Sequence, residues 1–308
     1  MCTPTGRAIM REMTLGVDLS DALARVVAVD GDGKVLARSE RAAGALATDV
    51  RERARRAIEA AGGRVSATAV AVPLNGDAVP ADVASALADV SPSAPVPHVV
   101  AAGTAAALAE QWCGAARGLS PVVTFSIGDH VTAGLLINGE PWLGANGLAG
   151  AVGWLAMNPV EREDYRRYGG LEAEIASAGI VKRLVWRVKS GDRSNVVDQV
   201  GGDLARLTAD HVFEGARAGD GVCISVVRDT ARYVGMAVAN LATLLDPEAI
   251  VLGGALAAWG DLMLEPIRVE CSRRLRPVQA ERVRLVLSTL GDDAVAIGAA
   301  RAASLPRK

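Results

Sequence analysis

The sequence predicts an α/β protein with two lobes around a central cleft. Two segments, beginning at Thr14 and Pro121, each have the pattern of two strands, a hairpin turn and a further strand. Asp-Gly pairs at 30–33 and the Asn-Gly pair at 138–139 favour tight hairpin turns. With 50% hydrophobic but only 3% aromatic residues, the core must consist mainly of Ala, Val and Leu. The repeated pattern therefore predicts two similar halves.

The first half continues with helices and strands. Helical composition at 47–61 ends at the glycine pair 62–63, a typical helix terminus. A buried strand (65–74), a helix (81–90) and a proline-rich loop (91–97) follow, and 98–118 predicts a strand that leads into a helix.

The second half predicts long helices at 171–190, 201–218 and 221–244, a buried strand at 248–256 and a final helix at 291–304. We expect an N-terminal lobe of residues 1–118, completed by the C-terminal helix (about 292–308), and a larger lobe of residues 119–291.

Composition argues against several classes of protein. The net charge of -2, with acidic and basic residues interleaved, provides no patch for nucleic acid or an anionic membrane. The four cysteines lie far apart and predict isolated thiols, neither disulfides nor a zinc knuckle. No signal peptide and no run of about 18 apolar residues occurs, so we expect a cytoplasmic protein.

Several segments, in order along the chain, resemble signatures of the ROK family (repressor, open reading frame, kinase). LGANGLAGAVG at 143–153 is similar to the family's sugar-loop segment GANGxAGExGH, and LDPEAIVLGGA at 245–255 is similar to its adenosine-loop strand. The segments 210–220, 260–268 and 290–300 resemble its C-terminal motifs. This resemblance implies the two-lobed actin-like ATPase / sugar kinase (ribonuclease H-like) fold.

This sequence departs from the family pattern at the position of the catalytic base. In that family an Asp deprotonates the sugar hydroxyl, and the matching segment VAAGTAAALAE at 100–110 places Ala102 at that position. A methyl group cannot accept a proton, and loss of a general base costs on the order of 10² to 10⁴ in rate. The resemblance therefore predicts a fold without ordinary sugar kinase activity.

The family's zinc and sugar ligands are also altered. Ala151 and Trp154 replace its Glu and His, and Glu163, Tyr165 and Gly170 stand where cysteines would bind zinc. Without thiolates or this His, a tetrahedral zinc has no ligands, so we expect no structural zinc and no other metal. In contrast, Glu172 matches a Glu that contacts sugar in the family.

The segments that resemble phosphate loops each gain a carboxylate. The first contains Asp18 and Asp21, and the second runs from Gly128 through Asp129 to Gly134. Two like charges about 4 Å apart repel by roughly 4 kcal/mol at an effective dielectric constant of 20, which argues against binding of ATP and Mg²⁺. Gly253 and Gly254 still match the adenosine loop. Because the altered phosphate loops argue against ATP, we nevertheless expect no cofactor.

Several residues allow two interpretations. Asp18, Asp21 and Asp129 could together hold Mg²⁺ or Ca²⁺, or each could cap a turn. Asp129 and His130 could be acid–base groups of a new reaction, or a turn residue beside a solvated histidine. Candidate ligand-binding residues flank or belong to the retained loop: Asn146, Gly147, Trp142 and Trp154. The two tryptophans could stack on a sugar ring or fill the core.

The functional prediction is a pseudokinase that binds a small molecule, such as a sugar, in the cleft and forms a homodimer. The first strand begins near Thr14, which leaves no room before it for a helix-turn-helix, so we expect no nucleic-acid partner. Because acidic and basic residues are interleaved, we expect no membrane partner either. One alternative is a repurposed enzyme that uses Asp129, His130 and Glu172. Another is a residual kinase of glucose or an N-acetyl hexosamine.

Overall fold

The computed structural model describes residues 12–20, 24–39, 46–74, 79–94 and 96–306. Its strands are β1 (Glu12–Asp18), β2 (Arg25–Val29), β3 (Val35–Arg38), β4 (Arg64–Val72), β5 (His98–Ala101), β6 (Val122–Ile127), β7 (Val131–Ile137), β8 (Glu140–Pro141), β9 (Ala249–Gly253) and β10 (Arg284–Leu287). Its α-helices are α1 (Leu46–Ala61), α2 (Ala81–Val90), α3 (Ala102–Cys113), α4 (Glu163–Tyr168), α5 (Glu172–Ile175), α6 (Ser177–Lys189), α7 (Val196–Gln199), α8 (Ala209–Arg217), α9 (Gly221–Leu245), α10 (Gly260–Ser272), α11 (Pro277–Arg282) and α12 (Ala294–Ser304).

The chain divides into two compact units, which we call unit 1 and unit 2. Unit 1 comprises the residues up to Cys113 together with those from Asp293 onward, and unit 2 comprises Gly114–Asp292. The sheet of unit 1 has the strand order β3-β2-β1-β4-β5. Within it, β1, β2 and β3 pair antiparallel, whereas β4 and β5 continue the sheet in parallel.

Two glycines allow α12 to lie in backbone contact with other elements of unit 1. A Cβ atom added to Gly16 of β1 would lie 1.9 Å from the carbonyl oxygen of Ala296, and one added to Gly298 would lie 1.6 Å from the carbonyl oxygen of Ala105 in α3. Any larger side chain would force these backbones apart. The C-terminal helix is therefore an integral part of unit 1.

Unit 2 repeats this topology. Its strand order is β10-β9-β6-β7-β8, with β6, β7 and β8 antiparallel and with β9 and β10 parallel to β6. The predicted α/β fold class, in which each half begins with a hairpin, is confirmed. The described buried residues are dominated by Ala, Val and Leu, as the composition predicted.

Two predicted helices differ from the structure. The helix expected at 171–190 is interrupted at Ala176, which has the extended conformation between α5 and α6. The first part of the helix expected at 201–218 contains a short 3₁₀ helix (Leu204–Arg206) in place of an α-helix, because Gly201 and Gly202 have φ angles of 65° and 82°. Thr208 then caps α8, its hydroxyl accepting a hydrogen bond from a backbone N–H of the first turn. No helix in the described ranges is long and apolar enough to cross a membrane.

Candidate functional site

The turn between β6 and β7 carries the two predicted acid–base residues, Asp129 and His130. Both are exposed. The N–H of Gly128 donates to the carbonyl of His130 at 3.1 Å, and the carbonyl of Gly128 accepts from the N–H of Ser177 at 2.9 Å. These backbone hydrogen bonds hold the turn, and they leave the side chains of Asp129 and His130 at the surface.

The segment from Gly128 to Gly134, which resembles the second phosphate loop, forms the β6–β7 turn and the first part of β7. The turn ends at His130, and Gly134 lies buried within β7, where it pairs with Thr124 of β6. The chain returns to the sheet at once because β7 is a largely apolar segment, buried without interruption from Ala133 to Leu136. Only Gly128 of these two glycines lies in the turn.

Glu172, the first residue of α5, contacts this turn. Its Oε2 accepts a hydrogen bond from the backbone N–H of Val131 at 2.9 Å, and its Oε1 lies 3.5 Å from Nδ1 of His130. Among the described residues, no hydrogen bond or ion pair joins Asp129 to either side chain. The structure therefore brings together two of the three residues proposed for a new reaction, His130 and Glu172.

The retained glycine-rich loop is anchored to β7. The N–H of Ala133 donates to the carbonyl of Gly150 at 2.9 Å, and the N–H of Ala149 donates to the carbonyl of Leu143 at 3.0 Å. Between these anchors, Asn146 and Gly147 are exposed. The loop thus presents the Asn146 amide at the surface of unit 2.

Trp142 and Trp154, on either side of this loop, do not fill the core. Their exposed fractions are 49% and 56%. Trp142 enters the loop from β8, where its N–H donates to the carbonyl of Leu135 at 2.9 Å, and Trp154 ends a 3₁₀ helix (Val152–Trp154). The alternative that these side chains serve as core volume is wrong, because about half of each residue is exposed.

The residues at the former zinc positions do not fit a zinc ion. Glu163 is exposed, Gly170 has no side chain, and the exposed indole of Trp154 offers no metal-binding lone pair. The Tyr165 hydroxyl donates to Oε1 of Glu174 and accepts from the Asn158 amide. Across the described residues, no group of three or more His, Cys, Asp and Glu side chains is placed to hold a metal.

Sequence reasoning missed a group of charged residues beside the site. Glu174, buried in α5, contacts Arg162 and Arg183, and all three line a cavity of about 420 Å³. The remaining lining residues are Met157, Asn158, Asp229, Arg232, Tyr233 and Met236. The contacting residues come from a loop and two helices, so spacing along the chain gave no signal of this arrangement.

Unit 1 holds the residues that resemble the first phosphate loop and the catalytic stretch. Oδ1 of Asp18 accepts from the N–H and the hydroxyl of Ser20 at 2.8 and 2.6 Å, which is the geometry of a capped turn. Asp21, the second carboxylate of this segment, lies outside the described residues. Ala102 is the first residue of α3 and is only 5% exposed.

Gly253 is the last residue of β9 in unit 2, and Gly254 follows it. Gly254 has a φ angle of 72°, and a Cβ atom there would lie 2.6 Å from the carbonyl oxygen of Ile127 at the end of β6. The glycine therefore lets two neighbouring strand ends approach closely. This packing explains the glycine without a nucleotide.

Comparisons with known proteins agree on one family. A glucokinase of Halalkalibacterium halodurans is 35% identical over 198 residues, which cover 63% of this chain and 59% of that protein. A xylose repressor of Caldicellulosiruptor bescii is 28% identical over 200 residues, 63% of this chain and 48% of the repressor. The matches thus span about half to three-fifths of the length of these relatives.

A solved structure shares the fold. It is a ROK family glucokinase from Streptomyces griseus in complex with glucose and AMPPNP, with a TM-score of 0.78 and 23% identity, covering 94% of this chain and 99% of that one. The ROK family model itself matches residues 87–304, which contain the turn, the glycine-rich loop and Glu172. The chain is therefore a member of the ROK family.

Proposed function

We propose that this ROK protein binds a sugar at the surface formed by the β6–β7 turn, the 143–150 loop and Glu172, and that it does not act as a sugar kinase. The observation that carries the second part is Ala102, which stands where the family's catalytic Asp would. Because a methyl group has no lone pair, it cannot deprotonate a sugar hydroxyl. The carboxylate of Asp129 in the turn would in addition repel a polyphosphate.

The sugar-binding part rests on groups that match sugar chemistry. Carboxylate oxygens of Glu172 and the exposed Asn146 amide can pair with hydroxyl groups. The exposed indoles of Trp142 and Trp154 offer apolar faces for a sugar ring. Since glucokinases, a xylose repressor and an N-acetylglucosamine repressor are among the relatives, the first probes are glucose, xylose and N-acetylglucosamine.

Two predictions about partners belong to this proposal. We expect a homodimer, which light scattering measures directly. The expected absence of a nucleic-acid partner has no support from the comparisons, because repressors are among the relatives. A binding titration with DNA decides that point.

Isothermal titration with the three sugars tests the binding site. We expect one of them to bind the wild type, and Glu172→Gln to weaken that binding by roughly tenfold or more, because a charged hydrogen-bond acceptor is lost. Glu281→Gln, an exposed change in α11, should leave the affinity unchanged. Binding of no sugar, or equal binding by Glu172→Gln, would contradict the proposed site.

The contact of His130 with Glu172, 3.5 Å between Nδ1 and Oε1, favours a second candidate function. Such a pair can exchange protons with a substrate hydroxyl, so the chain could be an enzyme of a different reaction. Nuclear magnetic resonance of a bound sugar over hours separates the two. Conversion that stops in His130→Gln supports an enzyme, and an unchanged sugar supports a binding protein.

A further inference from the structure

A buried carboxylate lies at the centre of the charged residues beside the site. Glu174 is only 6% exposed. Its Oε1 accepts from Nη1 of Arg162 at 2.9 Å and from the hydroxyl of Tyr165, and its Oε2 accepts from Nη2 of Arg183 at 2.6 Å. A buried charge is tolerated when it is paired and hydrogen-bonded in this way. Both oxygens of Glu174 are therefore fixed by donors.

Arg183 extends these contacts to other helices of unit 2. Nη2 also donates to the carbonyl of Glu174 at 2.8 Å, and Nη1 donates to Oγ1 of Thr230 in α9 at 3.0 Å. The guanidinium lies 5.6 Å from the centroid of the Tyr233 ring. One side chain from α6 thus ties α5 to α9.

Arg162 extends the contacts in the opposite direction along the chain. Its Nε and Nη2 donate to the carboxylate of Asp164 at 3.1 and 2.6 Å, and Lys182 of α6 donates to Oδ2 of the same carboxylate at 2.6 Å. The guanidinium also lies over the Tyr165 ring, 4.6 Å from its centroid. These side-chain contacts fix the segment that enters α4 to α6.

These contacts, which we call the Glu174 network, join the segment in which the resemblance would place a zinc cluster. Tyr165 stands at one of the thiolate positions, and its hydroxyl serves the network. Glu174 also shares the single turn of α5 with Glu172, whose carbonyl accepts from the N–H of Ala176 at 3.0 Å. Fixing Glu174 consequently fixes the backbone that carries Glu172.

We propose that the Glu174 network replaces a metal crosslink in this chain, and that Glu174 is a positioning residue that holds Glu172 against Val131 and His130. The positioning of Glu172 is structural, and its effect on sugar affinity rests on the proposed function. The network needs no ion, because every junction is a contact between protein groups.

Amide hydrogen exchange tests the positioning without any ligand. The N–H of Val131 donates to Glu172, whereas Val251 lies in β9, which β6 separates from β7 in the sheet. In Glu174→Gln we expect exchange at Val131 to accelerate by about tenfold more than exchange at Val251, because the opening is local. Glu163→Gln, an exposed change in α4, should alter neither.

Equal acceleration at both amides would overturn the positioning role, since it would show only a global loss of stability. Tyr165→Phe removes a single donor and keeps all charges, so it makes the same comparison if Glu174→Gln does not fold. If the wild type binds a sugar, Glu174→Gln should also bind it about tenfold more weakly. Failure of every sugar to bind would contradict the proposed function. The exchange rates of Val131 and Val251 would still test whether Glu174 positions Glu172.

Metal analysis tests the other half of the proposal. Wild-type protein should contain no stoichiometric zinc, and a chelator should change neither its melting temperature nor the exchange rate of Val131. One zinc per chain, with a fall in melting temperature on chelation, would overturn the replacement of a metal by the network.

Discussion

Asp164 shows how one carboxylate of unit 2 depends on its neighbours. The hydrogen bond from Arg162 lowers the pKa of Asp164 below its usual value of 3.8 against the opposing effect of burial, and Lys182 lowers it further. A group whose pKa is lowered by folding stabilises the fold above its unfolded pKa, and that contribution is lost as the pH falls through the folded pKa.

We therefore expect Asp164→Asn to destabilise the protein at neutral pH by on the order of 1 kcal/mol, because its partners are partly exposed and solvent screens them. The difference from the wild type should shrink as the pH falls below about 3.8. Urea denaturation at a series of pH values measures it. A difference that grows in acid would contradict the pairing.

Gly150 tests the anchoring of the glycine-rich loop. Its φ angle is 96°, and a Cβ atom would lie 2.0 Å from the carbonyl oxygen of Ala133. Gly150→Ala should cost more than about 2 kcal/mol of unfolding free energy, since strain and a backbone clash add. Gly147→Ala, with a φ angle of 71° and open space around the new atom, should cost about 1 kcal/mol. Equal costs would show that the loop is not held against β7.

Among individual residues, the sequence identified those that belong to a family motif and missed those whose role depends on packing. Glu172 was found because the family pattern marks its position. Glu174 carries no such mark, and its partners Arg162 and Arg183 lie on separate elements that meet only in the folded chain.

Among the helices, α9 illustrates how a single cap orders an element. Oδ1 of Asp220 accepts from the N–H groups of Val222 and Cys223, while Oδ2 accepts from the Ser194 hydroxyl and the N–H of Asn195. Burial acts to raise the pKa of Asp220, but these donors outweigh it and lower the pKa. The cap thus joins the loop before α7 to the start of α9.

Asp220→Ala should lower the unfolding free energy by about 2 kcal/mol, at the upper end for a helix cap, because buried donors are left unpaired. Asp210→Ala, in the exposed first turn of α8, should cost well under 1 kcal/mol. Thermal or urea denaturation measures both. Similar losses in the two variants would show that Asp220 acts only through its charge at a helix start.

Element boundaries were predictable where a local signal existed. Gly62 ends α1 with a φ angle of 64°, as the glycine pair predicted. The false helix at 201–208 contains good helix formers, but Gly201 and Gly202 adopt left-handed conformations, and the cap at Thr208 starts a new helix. Helix propensity alone could not register that second start.

In the whole molecule, two short turn motifs predicted that each half of the chain begins with a hairpin. The Asn138-Gly139 turn has φ angles of 55° and 80°, the mirror-image turn that suits a twisted hairpin. Its counterpart between β2 and β3 uses the Asp-Gly pairs. The backbone contacts of α12 with β1 and α3 could not be predicted, because they depend on glycines whose role appears only when the helix lies against them.

The central claim is that this ROK protein binds sugar without phosphorylating it, and a coupled assay of ADP release tests it most directly. Each sugar that binds the wild type is added at saturating concentration with ATP and Mg²⁺. We predict that ADP release is no faster than without sugar, because Ala102 cannot accept the hydroxyl proton. Sugar-dependent release at an ordinary enzymatic rate, roughly 1 s⁻¹ or more, would contradict the account.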